Sequence, residues 1–231
     1  MSGDDEVQDL ARQLREGKAK VDGASRRRRL AATSVNSEQP YEVPSNWTWL
    51  PLSEVTAMYN GYAFKAHTWK TSGLPIVRIQ NLNKLHAPFN YTDPGTVADR
   101  HKIDTGDVLL SWSGTPGTSF GVFIWTRGPA ALNQHIFKCE LYAPLNARYF
   151  EIAVNEAIRK SLEAARGGVG LKHLTKKILD AMPIPIPSLA EQDRIVSAVD
   201  ETEMKIARLS VLLAPIGDGS ELETSDDGDV D

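Results

Sequence analysis

Two different patterns of apolar and polar positions follow each other in residues 182–213. Pro183, Pro185 and Pro187 alternate with two isoleucines. Because proline fixes φ and has no backbone N–H to donate, this first half predicts an extended segment rather than a helix. Ser188, with Glu191 three residues later, has the spacing of a capping box and predicts the start of a helix.

The predicted helix carries a heptad pattern. Apolar or small side chains recur at intervals of four and three residues, at Ile195, Val199, Thr202, Ile206, Leu209 and Leu213. This spacing, kept over roughly three heptads, is typical of a helix that pairs with a partner helix. The alternative is an amphipathic helix that packs on its own domain. The narrow apolar stripe favours the partnered helix.

Helix and strand patterns also occur earlier in the chain. Residues 76–82, 108–112, 121–125 and 132–141 are rich in apolar and β-branched side chains and predict strands. Residues 146–165 repeat apolar positions at helical spacing. These elements predict an α+β (mixed α/β) domain with a twisted mixed β-sheet, followed by the heptad helix as a spacer.

The start of this domain is marked by two tryptophans. Trp47 and Trp49 alternate along a short predicted strand, so both lie on one face, where we expect them to close the core. Residues 51–55 fit either one helical turn or a continuation of the strand.

The chain divides into an N-terminal helix remnant with a basic linker (residues 1–40), a globular domain (41–187), a spacer helix (188–214) and a disordered acidic tail (215–231). Val7, Leu10 and Leu14 give the first part a short helical stripe but a poor core. The four arginines at residues 26–29 indicate either a contact with phosphates or a solvated linker, and the polar surroundings favour the linker.

Composition and charge narrow the classes of protein. The 231 residues are 41% hydrophobic, enough for a real core, and the single cysteine, Cys139, excludes an internal disulfide framework. No apolar run reaches membrane-spanning length, and the acidic N-terminus is unlike a signal peptide, so we expect a cytoplasmic protein.

The charges are unevenly distributed. Residues 46–190 hold 15 basic and 10 acidic side chains, whereas residues 191–231 hold 3 basic and 12 acidic side chains. The net charge of +5 in the middle part permits contact with DNA without requiring it.

The motifs of the common enzyme classes are missing from the sequence. It has no GxSxG, HExxH or Walker motif, and its five histidines lack the spacing of metal ligands. Its carboxylates do not form the paired set with a lysine that a metal-dependent nuclease needs. The chemistry therefore favours a binding module over an enzyme, with a nuclease that acts alone as the less favoured class.

Seven motifs follow one another between residues 41 and 192: YEVPSNWTWLPL at 41–52, GYAF at 61–64, GLPIVRIQNL at 73–82, GDVLLSWSGTPG at 106–117, NQ at 133–134, GVGLKHL at 168–174 and IPIPSLAEQ at 184–192. In this order they resemble the DNA specificity (S) subunits of Type I restriction–modification systems. The last two motifs are the most specific.

The resemblance implies a target recognition domain that reads a half-site of double-stranded DNA through the major groove. It also implies that the spacer helices pair as a coiled coil and dock the modification subunit, with a restriction subunit in the full complex. Adenine methylation and cleavage then belong to those partners, which use S-adenosylmethionine, ATP and magnesium, while this chain binds no cofactor and is not an enzyme.

Complete S subunits have two recognition domains and two spacer helices, and this sequence has one of each. We therefore expect a half-subunit that dimerises with a second copy, one half of a split pair, or a degenerate remnant. A further alternative is an assembly protein that occupies the modification subunit without reading DNA.

The resemblance does not fix the base-reading residues, so the candidates rest on their chemistry. Arginine pairs with guanine edges and asparagine with adenine edges, and a glycine-rich loop such as residues 113–118 can bring amides close to a phosphate or simply close a hairpin. The candidate DNA-binding residues are Arg78, Asn81, Lys84, Ser113, Thr115, Asn133, Gln134, Arg166, Lys172, His173 and Lys176. The candidate subunit-docking residues are Glu191, Gln192, Ile195, Val199, Ile206 and Leu209.

Overall fold

The structure, a computed structural model, describes residues 3–24, 40–113, 119–166 and 175–213. The helices within these ranges are α1 (Gly3–Ala24), α2 (Leu52–Val55), α3 (Ile79–Asn83), α4 (Ala147–Arg166), α5 (Lys176–Ala181) and α6 (Leu189–Leu212). The strands are β1 (Thr48–Pro51), β2 (Thr56–Asn60), β3 (Leu74–Val77), β4 (Asn90–Thr92), β5 (Lys102–Ile103), β6 (Val108–Ser111), β7 (Gly121–Ile124), β8 (Ala130–Leu132), β9 (Ile136–Leu141) and β10 (Pro183–Ile186).

The described strands form three small sheets. β2, β9, β6 and β7 form an antiparallel sheet in that order, and β1 pairs with β10. The third sheet has the order β4, β3, β8 and β5, and in it β3 runs parallel to β8, with Val77 opposite Leu132. The predicted α+β class with a mixed sheet is confirmed, although the strands divide among three sheets rather than one.

The helix predicted at residues 146–165 is confirmed as α4, which packs against β7. Phe150, Val154 and Ile158 on its apolar face are buried. On the same helix, the Asn155 side chain accepts from Val122 N (2.7 Å) and donates to Val122 O (3.2 Å). Because β7 is an edge strand, this side chain satisfies backbone groups that have no neighbouring strand.

The strand predicted at residues 76–82 ends early. Asn81 Oδ1 accepts a hydrogen bond from Arg78 N (3.0 Å), and the chain turns there into α3. An amide side chain that caps the backbone in this way competes with a strand ladder. The prediction is therefore wrong after Val77.

The strand predicted at residues 132–141 is also interrupted. Residues 133–135 form a turn that separates β8 from β9. By contrast, the strands predicted at 108–112 and 121–125 form a hairpin as β6 and β7. Their glycine-rich connection, residues 114–118, lies outside the described residues.

The strand predicted around Trp47 and Trp49 forms as β1, but Leu50 is its fully buried side chain. Both tryptophans are only half-buried, and Trp49 packs edge-on against Tyr41 with ring centroids 5.1 Å apart. The expectation that the tryptophans close the core is therefore wrong. Residues 51–55, for which two forms were open, make the helical turn α2.

The proline-rich segment is extended, as predicted, and forms β10 opposite β1. Ile184 and Ile186 are buried there. At the start of α6, Ser188 Oγ accepts from Glu191 N (3.3 Å), which confirms one half of the predicted capping box. The Glu191 carboxylate instead pairs with Arg194 (2.7 Å).

The N-terminal helix is part of the core. Val7, Leu10 and Leu14 are all buried in α1, and Arg15 Nε donates to Glu54 Oε2 of α2 (3.3 Å). The expectation of a poor core is therefore wrong for this helix. The arginine run at residues 26–29 lies outside the described residues.

Gly17 lets α1 approach the residue after β9, since a Cβ at position 17 would lie 2.1 Å from Tyr142 O. We expect Gly17→Ala to lower the free energy of unfolding by about 1–3 kcal/mol, because a backbone carbonyl cannot move aside cheaply. Gly23→Ala is the matched control on the same helix. No atom of the described residues lies within 4 Å of its added Cβ, so helix propensity predicts a gain of up to about 1 kcal/mol. Urea unfolding measures both variants, and equal stabilisation would contradict the close approach.

The described residues form two compact units, of which the first ends at Ile195 and the second starts at Val196. The boundary predicted between residues 187 and 188 lies before this division, and the four-part organisation of the chain stays a prediction. Ile206 and Leu209, in the second unit, are exposed. None of the described helices is long and apolar enough to cross a membrane.

Candidate nucleic-acid interface

Residues 133–135, which we call the junction turn, lie where three strands end. Asn133 N donates to Val77 O at the end of β3 (3.1 Å), and Trp112 N, after β6, donates to His135 O (3.5 Å). Because β3 and β8 are parallel, their carboxyl ends lie at this same edge. Ligands of α/β sheets commonly bind outside the carboxyl ends of parallel strands. The junction turn is therefore the candidate site.

Arg78 follows β3 and is held on two sides. Its guanidinium carbon lies 5.0 Å from the centroid of the Trp69 ring, and its Nη1 donates to Asn90 Oδ1 (3.0 Å). Stacking on an aromatic face and one hydrogen bond orient the planar group. A guanidinium has five N–H donors, so others are available for a base edge or a phosphate.

Three buried polar atoms beside the turn have no hydrogen-bond partner within the described ranges: Gln134 Oε1, His135 Nδ1 and Trp112 Nε1. Gln134 Nε2 lies 3.2 Å from His135 Nε2, and the Trp112 and His135 rings lie 5.5 Å apart. Whichever nitrogen of a neutral His135 carries the proton, the Gln134–His135 pair keeps at least one donor and one acceptor unpaired. Buried unpaired groups are costly, and the edge of a base pair offers complementary partners.

Four predicted residues meet at this site. Arg78, Asn133 and Gln134 lie at the junction turn or beside it, and Ser113 follows Trp112, with its carbonyl accepting from Ser111 Oγ (3.1 Å). Thr115 lies outside the described residues. The tertiary fold therefore brings together side chains that lie far apart in the sequence.

Asn81 does not fit the base-reading role that was predicted for it. Its side chain is 1% exposed, and besides capping α3 it donates to Ala87 O and Pro88 O, each at 3.2 Å. With its oxygen and its amide group both committed to the backbone, it holds the loop after α3 and presents nothing to DNA. Lys84, at the end of α3, is exposed.

The predicted basic segment is described only in part. Arg166 is the last residue of α4, and Lys172 and His173 lie outside the described residues. Lys176 is exposed at the start of α5 and pairs with Asp180 (2.7 Å). Among the contacts of the described residues, none joins Lys176 to the junction turn.

One predicted docking residue is internal. Gln192 is fully buried, accepts from Asn146 N (3.0 Å) and donates to Pro187 O (3.2 Å). It therefore ties the start of α6 to the start of α4, and the prediction that it docks another subunit is wrong in this structure. Ile195 and Val199 are half-buried.

The side chains in the described part of the chain do not form a cluster of metal ligands. No group of three His, Cys, Asp or Glu residues there could hold a metal ion. Burial raises the pKa of the Cys139 thiol to about 12, so the thiol is protonated at neutral pH.

The sequence patterns missed four residues of the site: Tyr62, Trp69, Trp112 and His135. Trp112 and His135 are neighbours of predicted residues. Tyr62 reaches the site through tertiary structure, since its N donates to Leu132 O (2.7 Å) and it pairs with Asn133 in a parallel bridge. The glycine before Tyr62, in the GYAF motif at 61–64, is the signal for this close approach of two chain segments.

The described residues thus form a mixed α+β domain with a polar edge, and α6 is their last helix. Residues 44–209 match the Type I restriction modification DNA specificity domain family. Because the match covers more than half of the sequence, the chain belongs to this family.

Known relatives agree with this assignment. The chain is similar to the Type I restriction enzyme EcoBI specificity subunit of Escherichia coli, at 26% identity over 181 residues (74% of this chain and 37% of that protein). It is also similar to the EcoAI specificity subunit of Escherichia coli, at 24% identity over 224 residues (91% of this chain and 38% of that protein). The HsdS subunit from Thermoanaerobacter tengcongensis shares the fold, with a TM-score of 0.54 and 20% identity over 92% of this chain and 51% of that one. The chain thus spans less than two fifths of the length of these curated relatives.

Proposed function

We propose that this chain is a DNA-reading specificity subunit of a Type I restriction–modification complex, and that it is not itself an enzyme. The observation that carries the proposal is the junction turn. There Arg78, whose guanidinium is oriented, follows one of two parallel strands, and Gln134 and His135, which carry unpaired buried polar atoms, follow the other. Groups of this kind read base edges in the major groove. Membership of the specificity family supports double-stranded DNA as the ligand.

The partners follow from the family rather than from any contact in this chain. We infer that a modification subunit methylates adenine with S-adenosylmethionine and that a restriction subunit cleaves with ATP and magnesium. The exposed Ile206 and Leu209 of α6 suit a docking helix. Because the chain covers less than half of its relatives, a second copy or a second half-specificity chain would supply the other half-site. We infer that the complex works in the cytoplasm.

The test is co-expression with the modification subunit of the same host. The complex is purified through a tag on this chain, and the DNA of the cells is sequenced for methylated adenine. Methylation at a defined motif supports the proposal, and a palindromic motif indicates two copies of this chain. Co-purification without methylation would instead leave a subunit that assembles but does not read DNA.

Arg78→Lys tests the base-reading role of the guanidinium. Lysine keeps the positive charge but loses the planar fork that fits guanine. We expect one position of the methylated motif to relax, at a cost of roughly 1–3 kcal/mol in discrimination, while the salt dependence of binding is unchanged. Lys84→Ala is the control, because an exposed lysine that contacts phosphate weakens binding to all sequences alike. An unchanged motif in Arg78→Lys would reject the assignment.

A further inference from the structure

Tyr62 is an exposed aromatic side chain with a fixed position. It is 54% exposed, yet its ring is supported by Phe64 (centroids 5.0 Å apart, edge-on) and by His101 (5.7 Å). His101 is itself held, since its Nδ1 lies 3.1 Å from Asn60 O and its Nε2 accepts from Arg100 Nε (3.0 Å). A rigid aromatic ring loses little conformational entropy when a ligand covers it.

The backbone around Tyr62 is fixed as well. Gly61 N donates to Ile136 O (3.1 Å) and Tyr62 N donates to Leu132 O (2.7 Å), so this segment is bonded to the chain on both sides of the junction turn. A Cβ at Gly61 would lie 2.2 Å from Leu132 O. Tyr62 therefore stands beside Asn133 and Gln134 with little freedom to move away.

The charge around Tyr62 indicates a polyanion rather than a neutral protein surface. Residues 61–73 contain two lysines, Lys65 and Lys70, and no carboxylate, although Lys70 pairs with Asp93 (3.7 Å). Lys65 and Arg100 are exposed, and Arg100 donates to His101, whose ring lies beside that of Tyr62. Lys65 and Arg100 therefore offer exposed cations to the phosphate groups of a nucleic acid.

We propose that Tyr62 is a DNA contact of this chain, and that its ring packs against the sugar of a nucleotide next to the base pairs read by the junction turn. The proposal rests on the proposed function and adds a residue and a mode of contact to it. A contact to the sugar–phosphate backbone carries no sequence information directly. Tyr62 therefore contributes affinity more than it contributes base choice.

The test uses the complex of the full chain with the modification subunit and, as the probe, a pool of duplexes with a randomised centre. Tyr62→Ala is expected to weaken binding of the selected duplex about tenfold, because the packed ring area is lost, while selecting the same motif. Tyr62→Phe, which keeps the ring, should bind like the unsubstituted chain. Tyr59→Ala is the matched control, because Tyr59 is 38% exposed on β2 and should bind normally. Thermal unfolding checks that each variant is folded.

The outcomes separate the two proposals. If the unsubstituted complex selects a motif and Tyr62→Ala binds it within twofold, the Tyr62 contact is wrong and the proposed function stands. If Tyr62→Ala instead releases the modification subunit, the ring is a protein contact and the inference is also overturned. If the unsubstituted complex binds no duplex, both proposals fall.

Discussion

Replacing Gly61 with alanine is expected to destabilise the domain by about 3 kcal/mol. The new Cβ would lie 2.2 Å from Leu132 O, 2.3 Å from Asn133 O and 2.5 Å from the Asn133 carbonyl carbon. All three are backbone atoms, and hydrogen bonds at the end of β8 hold them in place. No side-chain rotation relieves the clash, so the two segments must separate.

Gly95→Ala is the matched control for Gly61→Ala, because its Cβ would meet only the carboxylate oxygen Asp93 Oδ1, at 3.3 Å. Thermal and urea unfolding compare the free energies of unfolding of the two variants. We expect Gly95→Ala to stay within about 1 kcal/mol of the unsubstituted chain. If the Gly61→Ala domain is as stable as this control, the segment at Gly61 can move away from the end of β8 at little cost. Tyr62 would then have no fixed position.

Gln192→Ala is expected to lower the free energy of unfolding by about 2–4 kcal/mol. The buried side chain satisfies Asn146 N at the start of α4 and Pro187 O before α6. Truncation leaves both backbone groups unpaired and opens a cavity between them. Tyr149 of α4 also donates to Pro185 O of β10 (2.8 Å). The two hydrogen bonds lost with the Gln192 side chain therefore weaken the same contact between α4 and β10.

Arg194→Ala is the control for Gln192→Ala, since Arg194 is two residues further along α6 and its side chain is 78% exposed in a pair with Glu191. A surface ion pair of this kind contributes only about 0–1 kcal/mol. Denaturant unfolding followed by tryptophan fluorescence measures both variants. Equal effects would mean that Gln192 does not anchor the helix.

Elements with local causes could be predicted from the sequence. α4 follows from its apolar period, β10 from alternating prolines that forbid a helix, and the β6–β7 hairpin from two apolar runs around a glycine-rich loop. Each depends on residues close together in the chain, so its pattern is visible without the tertiary structure.

The site depends on pairings that no local pattern carries. β3 and β8 are far apart in sequence, and only their parallel pairing places Arg78 beside the junction turn. Asn81 has the composition of a base reader, yet the loop after α3 uses its whole side chain. In the same way, Gln192 sits in a helix pattern that gives no sign of its burial. Tertiary contacts thus decide which polar residues remain available for a ligand.

The pairing of β1 with β10 has a consequence for biosynthesis. All of residues 52–182 lie between the two strands, and contacts so distant in sequence form slowly because a long loop must close first. On the ribosome, β1 has no partner strand until residues 183–186 have emerged. We therefore expect the domain to complete its folding late in translation, with an unpaired strand edge exposed until then. Nascent chains stalled before residue 183 should be far more sensitive to protease than chains stalled well beyond it.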